Sequence, residues 1–222
     1  MICVIPARGG SSRFPGKNIK ELNGWPVIYY PITAARNAGI FDDIIVSTDD
    51  DEIADIVDAI GCNVHFRPPY LRGDVPESDV LIDVARMKMV DSLCRIYPFA
   101  ALLTPERITR GYVNTISFSN PDIVMECVEY NHSPLRAMTL DGLKRAEYIS
   151  PDVIPIKTQN LKKFYHDAAT YFFCQVSALN KPVEERTMTC LPVSQMECQD
   201  VDYPEDFDML KLKYRILSRN KS

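Results

Sequence analysis

The stretch Ile5-Pro6-Ala7-Arg8-Gly9-Gly10-Ser11-Ser12-Arg13-Phe14-Pro15-Gly16-Lys17-Asn18 concentrates the residue types that bind phosphate. Glycines let backbone N–H groups approach phosphate oxygens, and Arg8 and Lys17 can neutralise triphosphate charge. The stretch is not a P-loop, because Asn18 stands where that motif needs Ser or Thr after its lysine, and it is not the dinucleotide fingerprint. Far along the chain, Asp200 and Asp202 are spaced i, i+2, so in extended backbone they point the same way and can share a hard cation such as Mg²⁺. Each feature also has a plainer reading. The first can be a solvated basic loop, and either Asp can charge the start of a helix opening near Pro204, as Glu205, Asp206 and Asp208 do.

These groups need a scaffold, and the hydrophobic pattern supplies one. Ile2 to Ile5 reads as a buried strand, so the glycine-rich loop sits at a strand's carboxyl end. A helix opens at Pro26 and runs through Val27, Tyr30, Ala34 and Ala38; a second strand follows at Ile44 to Ser47. Thr48 or Asp49 caps a helix from Asp50 to Ile60 that Gly61 terminates, with Asp49 also placed to organise the loop's site. Asn63 to Phe66 is a strand, Ser78 to Ser92 a helix, and Arg95 to Leu103 the next apolar segment. Thr104-Pro105-Glu106 opens a helix, and Ile123 to Val128 is a strand. Helical periodicity fades over 129–165, where Asp141-Gly142 marks a hairpin turn, and this stretch is the expected insertion. Strands return at Thr170 to Val176 and Thr189 to Val193, and a helix from Pro204 to Leu217 closes the chain. The expected class is α/β, a mainly parallel sheet covered on both faces, in a single domain over 1–222.

Composition narrows the function. The chain has 222 residues, with 25 Lys plus Arg against 30 Asp plus Glu, a net charge of −5 that argues against a broadly basic nucleic-acid surface. No apolar run approaches the length of a membrane span, and Pro6 interrupts the apolar start before a signal peptide could form. Seven cysteines lie scattered without a CxxC pair, which fits reduced, buried thiols and a cytoplasmic location rather than a zinc or disulfide framework.

The long loop motif resembles the first motif of the cytidylyltransferases that activate acidic sugars, the CMP-sialic acid, CMP-pseudaminic acid and CMP-Kdo synthetases. The resemblance continues through Phe41-Asp42, Ser47-Thr48-Asp49-Asp50, Arg67-Pro68, Gln159, Tyr165-His166-Asp167-Ala168 and Gln199-Asp200-Val201-Asp202. Cys94 to Glu106, Ser133 to Ala137 and Lys157 to Leu161 look nearest to the pseudaminate branch. It implies the nucleotide-diphospho-sugar transferase fold, GT-A-like and Rossmann-like in three layers. It further implies a CTP-dependent acylneuraminate-type nucleotidyltransferase making a CMP-sugar from an acidic nine-carbon sugar. Arg8, Lys17, Asp200 and Asp202 would be catalytic, the two aspartates holding Mg²⁺. Arg8, Gly9, Gly10, Ser11, Lys17, Asn18, Arg67 and Ser78 would bind the nucleotide, with Arg136, Gln159, Tyr165, His166 and Asp167 on the sugar side. A homodimer is implied too, the 129–165 insertion reaching the neighbour's sugar site.

Three departures accompany the resemblance. Ser12 replaces a usual Lys, Phe99-Ala100-Ala101 stands for a T-A-P-like strand end, and Thr170 replaces a Gln. They keep two rivals in play: another sugar nucleotidyltransferase or nucleotide-sugar glycosyltransferase of the same fold, and a nucleotide-binding homologue of weakened activity. His65 and His132 read as structural.

Overall fold

The structure, a computed structural model, describes residues 1–117 and 121–219. In chain order its elements are β1 (Ile2–Pro6), β2 (Glu21–Leu22), β3 (Trp25–Pro26), α1 (Tyr29–Ala38), β4 (Asp43–Thr48), α2 (Asp51–Ala59), β5 (Asn63–Phe66), α3 (Glu77–Lys88) and β6 (Ser92–Ile96). There follow α4 (Pro105–Ser117), β7 (Ile123–Glu129), β8 (Met138–Leu140), β9 (Ala146–Tyr148), β10 (Tyr165–Gln175), β11 (Met188–Pro192) and α5 (Pro204–Arg219).

Seven strands form one sheet in the order β11-β7-β10-β6-β1-β4-β5. β10 runs antiparallel to both its neighbours, β6 and β7, and the remaining pairs are parallel. The expected mainly parallel α/β sheet is therefore present. Its layering follows from the two-residue alternation of strand side chains. On β1, Cys3 and Ile5 pack with Ile28 and Ile32 near and on α1, Val57 of α2 and Ile108 of α4. Ile2 and Val4 face the other way, onto Leu81, Val84 and Ala85 of α3. Every residue of β1 is buried, so the loop after it leaves a rigid strand. A further cluster joins Phe14 of that loop to Phe99, Val201 and α5's Phe207 and Leu210. This contact brings the amino-terminal loop against the carboxyl-terminal fifth of the chain.

Several boundaries differ from the sequence-based expectation. Pro26 does not open a helix: Asn23 and Gly24 both take positive φ (51° and 88°), and the Asn-Gly turn draws Trp25–Pro26 into a hairpin with β2. Helix α1 begins only at Tyr29. The cap of α2 is Asp50, whose carboxylate accepts from the Ile53 N–H at 3.0 Å, and Thr48 and Asp49 are left to other contacts. α3 stops at Lys88, where Met89 turns left-handed (φ 53°), because Ser92 already begins β6. The apolar segment 95–103 is a strand only as far as Ile96. β10 starts at Tyr165, five residues before the expected Thr170.

Within 129–165 the hairpin β8–β9 carries side chains that are exposed along both strands, and Asp141 closes its loop by accepting from the Leu143 and Arg145 N–H groups. All seven cysteines are free, and six are buried. Among the described residues no helix is long and apolar enough to cross a membrane.

Candidate active site

At the carboxyl ends of β1 and β6 lies a cavity of about 370 Å³. Arg8, Lys17 and Asn18 form one wall; Arg67, Glu77 and Arg95 face it from the side of α3; Asp200 and Asp202 close it from the carboxyl-terminal segment.

The loop wall is built by short-range contacts. Gly16 takes φ 67°, which permits the single turn Lys17–Ile19 that aims Lys17 and Asn18 inward. Buried Asn18 donates from Nδ2 to the Arg8 carbonyl at 3.0 Å, and its Oδ1 has no partner. The Asp49 carboxylate accepts from the Gly9 N–H and the Gly73 N–H, both at 3.0 Å, tying the loop to the segment before α3. Burial pushes the Asp49 carboxyl up, but those two N–H groups and Arg67 outweigh it and leave it below the usual range. Gly9 has to be glycine, since a Cβ there would collide with the Asp50 side chain that caps α2. Arg8 pairs with Asp74 at 2.6 Å, and the Ser11 N–H donates to the Gly9 carbonyl at 2.9 Å.

Lys17 is the point where the two ends of the chain meet. Its ammonium donates to the Val201 carbonyl at 2.7 Å and to Asp202 at 3.2 Å, and it lies 4.9 Å from the Phe99 ring centroid. Arg13 also pairs with Asp202, at 2.9 Å. Asp200 has a raised pKa, first from loss of hydration and then from Asp202, with Lys17 opposing. Two neighbouring carboxylates whose charges repel are a donor set suited to a hard divalent cation, which commonly takes one or two carboxylates and fills its sphere with substrate phosphate oxygens. Among the described residues no group of three His, Cys, Asp or Glu could hold a metal alone. The residues therefore fit a cation that arrives with, or is completed by, a phosphate ligand.

Arg67 is buried and held by Ser47, donating from Nε to its hydroxyl and from Nη2 to its carbonyl, each at 3.2 Å. Ser47 in turn contacts His65 Nδ1 at 3.0 Å, and His65 Nε2 faces Asp83 at 3.3 Å. Burial lowers the His65 pKa against the pull of Asp83, so His65 belongs to the support of Arg67, consistent with its structural reading. Ser78 lies in the first turn of α3, outside the cavity's lining, and its neighbour Glu77 is the residue that faces in. Arg95 is buried in β6, bonded from Nη2 to Glu77 at 2.6 Å and lying against the Tyr97 ring. Burial opposes its charge, but Glu77 and Tyr97 more than compensate and raise its pKa.

Of the sugar-side residues, Asp167 reaches the site: it accepts from the hydroxyl of cavity-lining Tyr97 at 3.0 Å and contributes to the raised Asp200 pKa. His166 packs edge-on to Tyr130, with its Nδ1 2.8 Å from the Asp167 carbonyl. Tyr165 pairs with Glu129 at the end of β7. Arg136 donates to Thr158 and Ile156, and Gln159 stands exposed beside them; both lie on the 129–165 stretch, outside this cavity. The sequence reading missed Asp74, Glu77, Tyr97 and Arg95. Only Arg95 carried a local signal, a cation inside the otherwise apolar run Leu93 to Ile96.

Two of the three departures also find physical places. Phe99 is the ring beneath Lys17, and Thr170 is buried, donating to Glu126 at 2.8 Å. Glu126 is fully buried between Arg107 and Arg110, and Arg107 holds the Leu102 and Glu197 carbonyls, which steadies the segment leading to Asp200.

A family model described as "Cytidylyltransferase" matches residues 2–197. The pseudaminic acid cytidylyltransferases of two Campylobacter jejuni strains, serotypes O:2 and O:23/36, are 29% and 30% identical to this chain, covering 97% of it and 96% of their own lengths. Among solved structures, CMP:2-keto-3-deoxy-manno-octonic acid synthetase complexed with CTP superposes with a TM-score of 0.75 at 17% identity, covering 99% of this chain and 98% of that one.

Proposed function

The chain belongs to the cytidylyltransferase family, and on that premise we propose that it couples CTP to an acidic nine-carbon sugar of the pseudaminic type, yielding a CMP-sugar and pyrophosphate. The observation that carries the reading is the meeting of Lys17 with Val201 and Asp202, 184 and 185 residues away, across one cavity. A phosphate-type loop and a carboxylate pair thus face a common space. The two full-length relatives named for pseudaminic acid support the choice of sugar.

In this reaction the sugar's anomeric hydroxyl attacks the α-phosphorus of CTP. A new O–P bond forms as the hydroxyl gives up its proton to solvent, the bond to the bridging oxygen breaks, and pyrophosphate leaves with that electron pair. Arg8 and Lys17 donate to the phosphate oxygens and stabilise charge on the leaving group. Asp202 and the Val201 carbonyl hold Lys17 in place, so little reorganisation is needed when the substrate binds. Gly9, Gly10, Ser11 and Asn18 surround the nucleotide, Arg67 contacts its cytidine part, and Tyr165, His166 and Asp167 serve the sugar, while Arg136 and Gln159, on the 129–165 stretch outside this cavity, serve the sugar site of a second copy. Asp200 and Asp202 would hold Mg²⁺, which when bound would neutralise the α-phosphate and lower the pKa of the attacking hydroxyl.

The 129–165 stretch is, in the same proposal, a dimer-forming insertion that extends towards a second copy's sugar site. Exposed Met138, Leu140, Leu143, Tyr148 and Ile149 on and beside the β8–β9 hairpin support this, since they leave apolar surface open to solvent.

The test is pyrophosphate release from CTP and Mg²⁺ with a panel of nonulosonic acids, the product identified by mass spectrometry. Release with pseudaminic acid above the other sugars is expected. No release with any acid sugar from folded protein would reject the proposal, and preference for another sugar would reject the pseudaminic assignment.

A further inference from the structure

The segment that carries Asp200 and Asp202 runs from the end of β11 at Pro192 to the start of α5 at Pro204, with one short turn, Gln195–Glu197, as its regular structure. Two cations hold it from outside the cavity. Arg107 of α4 donates from Nη1 to the Glu197 carbonyl at 2.7 Å, and its charge is met by buried Glu126. Lys213 of α5 donates from Nζ to the Gln195 carbonyl at 2.7 Å and to the Cys198 carbonyl at 2.8 Å. Among the described residues no carboxylate pairs with Lys213, and both of its hydrogen bonds go to this one backbone segment. It follows Leu210 by three residues, which turns it towards the face that α5 buries. Burial draws its pKa below the ordinary lysine value, against a weaker pull from Cys198. A partly buried cation without an anion is costly, and here the return on that cost is the position of a backbone.

That backbone leads directly to the carboxylate pair. Cys198 stands two residues before Asp200. On the far side, the Asp206 carboxylate accepts from the Asp202 N–H at 3.0 Å and the Tyr203 N–H at 2.8 Å. Between the two carboxylates, Val201 is fully buried with Phe207 and Leu210. The chain from 198 to 203 is therefore pinned at its start, its middle and its end, and Lys213 is the pin at the start. Two like charges on a looser backbone would drift apart.

We propose that Lys213 is a positioning residue: by holding the Gln195 and Cys198 carbonyls it presets Asp200 and Asp202 for a divalent cation. The inference rests on the cytidylyltransferase reading above and adds a residue that touches neither substrate nor cation. Removing a group that orients metal ligands weakens metal binding by roughly tenfold or more. Charge alone predicts the opposite, because loss of a nearby cation would make the carboxylates more attractive to Mg²⁺. The sign of the effect separates the two.

The experiment follows the unfolding midpoint with saturating CTP and no sugar as free Mg²⁺ is raised, in wild type, Lys213→Met, Lys213→Arg and Lys211→Met. Amide hydrogen exchange over 194–203 is measured in the metal-free proteins. Lys213→Met should need roughly tenfold more Mg²⁺ for half of the shift and should exchange faster over 198–202. Lys213→Arg, which keeps donors for the carbonyls, should recover most of the wild-type response. Lys211→Met loses a cation that pairs with Asp208 on the same helix, and should match wild type. Where Lys213→Met fails to fold, Lys213→Gln is read in the same way. An Mg²⁺ requirement that is unchanged or lower without Lys213, or unchanged exchange over 198–202, overturns the positioning role and leaves CTP binding standing. Wild type that does not respond to CTP with Mg²⁺ overturns the cytidylyltransferase reading itself.

Discussion

Asp200 is held at a cost that its proposed ligands would remove. Lost hydration and the neighbouring Asp202 raise its pKa above the ordinary aspartate value, against the attraction of Lys17. Between the ordinary and the raised value the folded chain binds more protons than the unfolded one. Stability therefore falls as pH rises through the folded pKa, and the contribution is whole only below the unfolded value. Asp200→Asn removes the penalised charge. Its unfolding midpoint should exceed wild type at pH 7 without added metal, with the gap closing below the ordinary aspartate range, while turnover is lost. Scanning calorimetry across pH checks this, and a lower midpoint at pH 7 would mean that Lys17's attraction dominates. The same scale explains two departures from the family pattern. Phe99 supplies a ring beneath the Lys17 ammonium, and Thr170 closes the hydrogen bonding of buried Glu126, so the first acts through a cation–ring contact and the second through a buried hydrogen bond.

At the scale of elements, the cavity depends on how the loop after β1 nests against the cap of α2. Gly9 gives its N–H to Asp49 and lies so close to Asp50 that a methyl group cannot enter without displacing the capping carboxylate. Asp50→Ala should cost about 1 kcal/mol through the lost cap. Gly9→Ala should cost at least as much and weaken CTP binding, while the double variant should lose less than the sum because the carboxylate part of the collision is gone and only the contact with the residue-50 Cβ remains. Denaturant titration of the three variants reads the coupling directly, and strict additivity would reject the proposed nesting. The capping acid was legible as a cluster at 49–51, but its assignment was not. Thr48, Asp49 and Asp50 are all competent caps, and the choice followed from Asp49 being drawn to Gly9 and Gly73. In the same way Pro26 carries a helix-start signature, yet the Asn23-Gly24 turn claims it for a hairpin.

Across the whole molecule, the antiparallel β10 between β6 and β7 sets Asp167 beside Tyr97, and β11, parallel to β7, then carries the chain back to the sheet's carboxyl edge ahead of Asp200. If the 129–165 stretch forms a dimer, light scattering should give a two-chain mass, and Leu140→Asp with Leu143→Asp should reduce it to one chain without unfolding the sheet; a one-chain mass for wild type would reject the dimer. The α/β class, the phosphate-type loop and the carboxylate pair could be read from residue order alone. Strand alternation, glycine at tight backbone approaches and the spacing of paired acids are short-range properties that survive without knowledge of the fold. The meeting of Lys17 with Asp202, the Arg95–Glu77 pair and the Asp167–Tyr97 bond could not be read that way. Each joins strands, helices or loops distant in sequence, and their neighbourhood follows from strand order and from which face of the sheet each helix buries, the long-range packing that minimises exposed apolar surface.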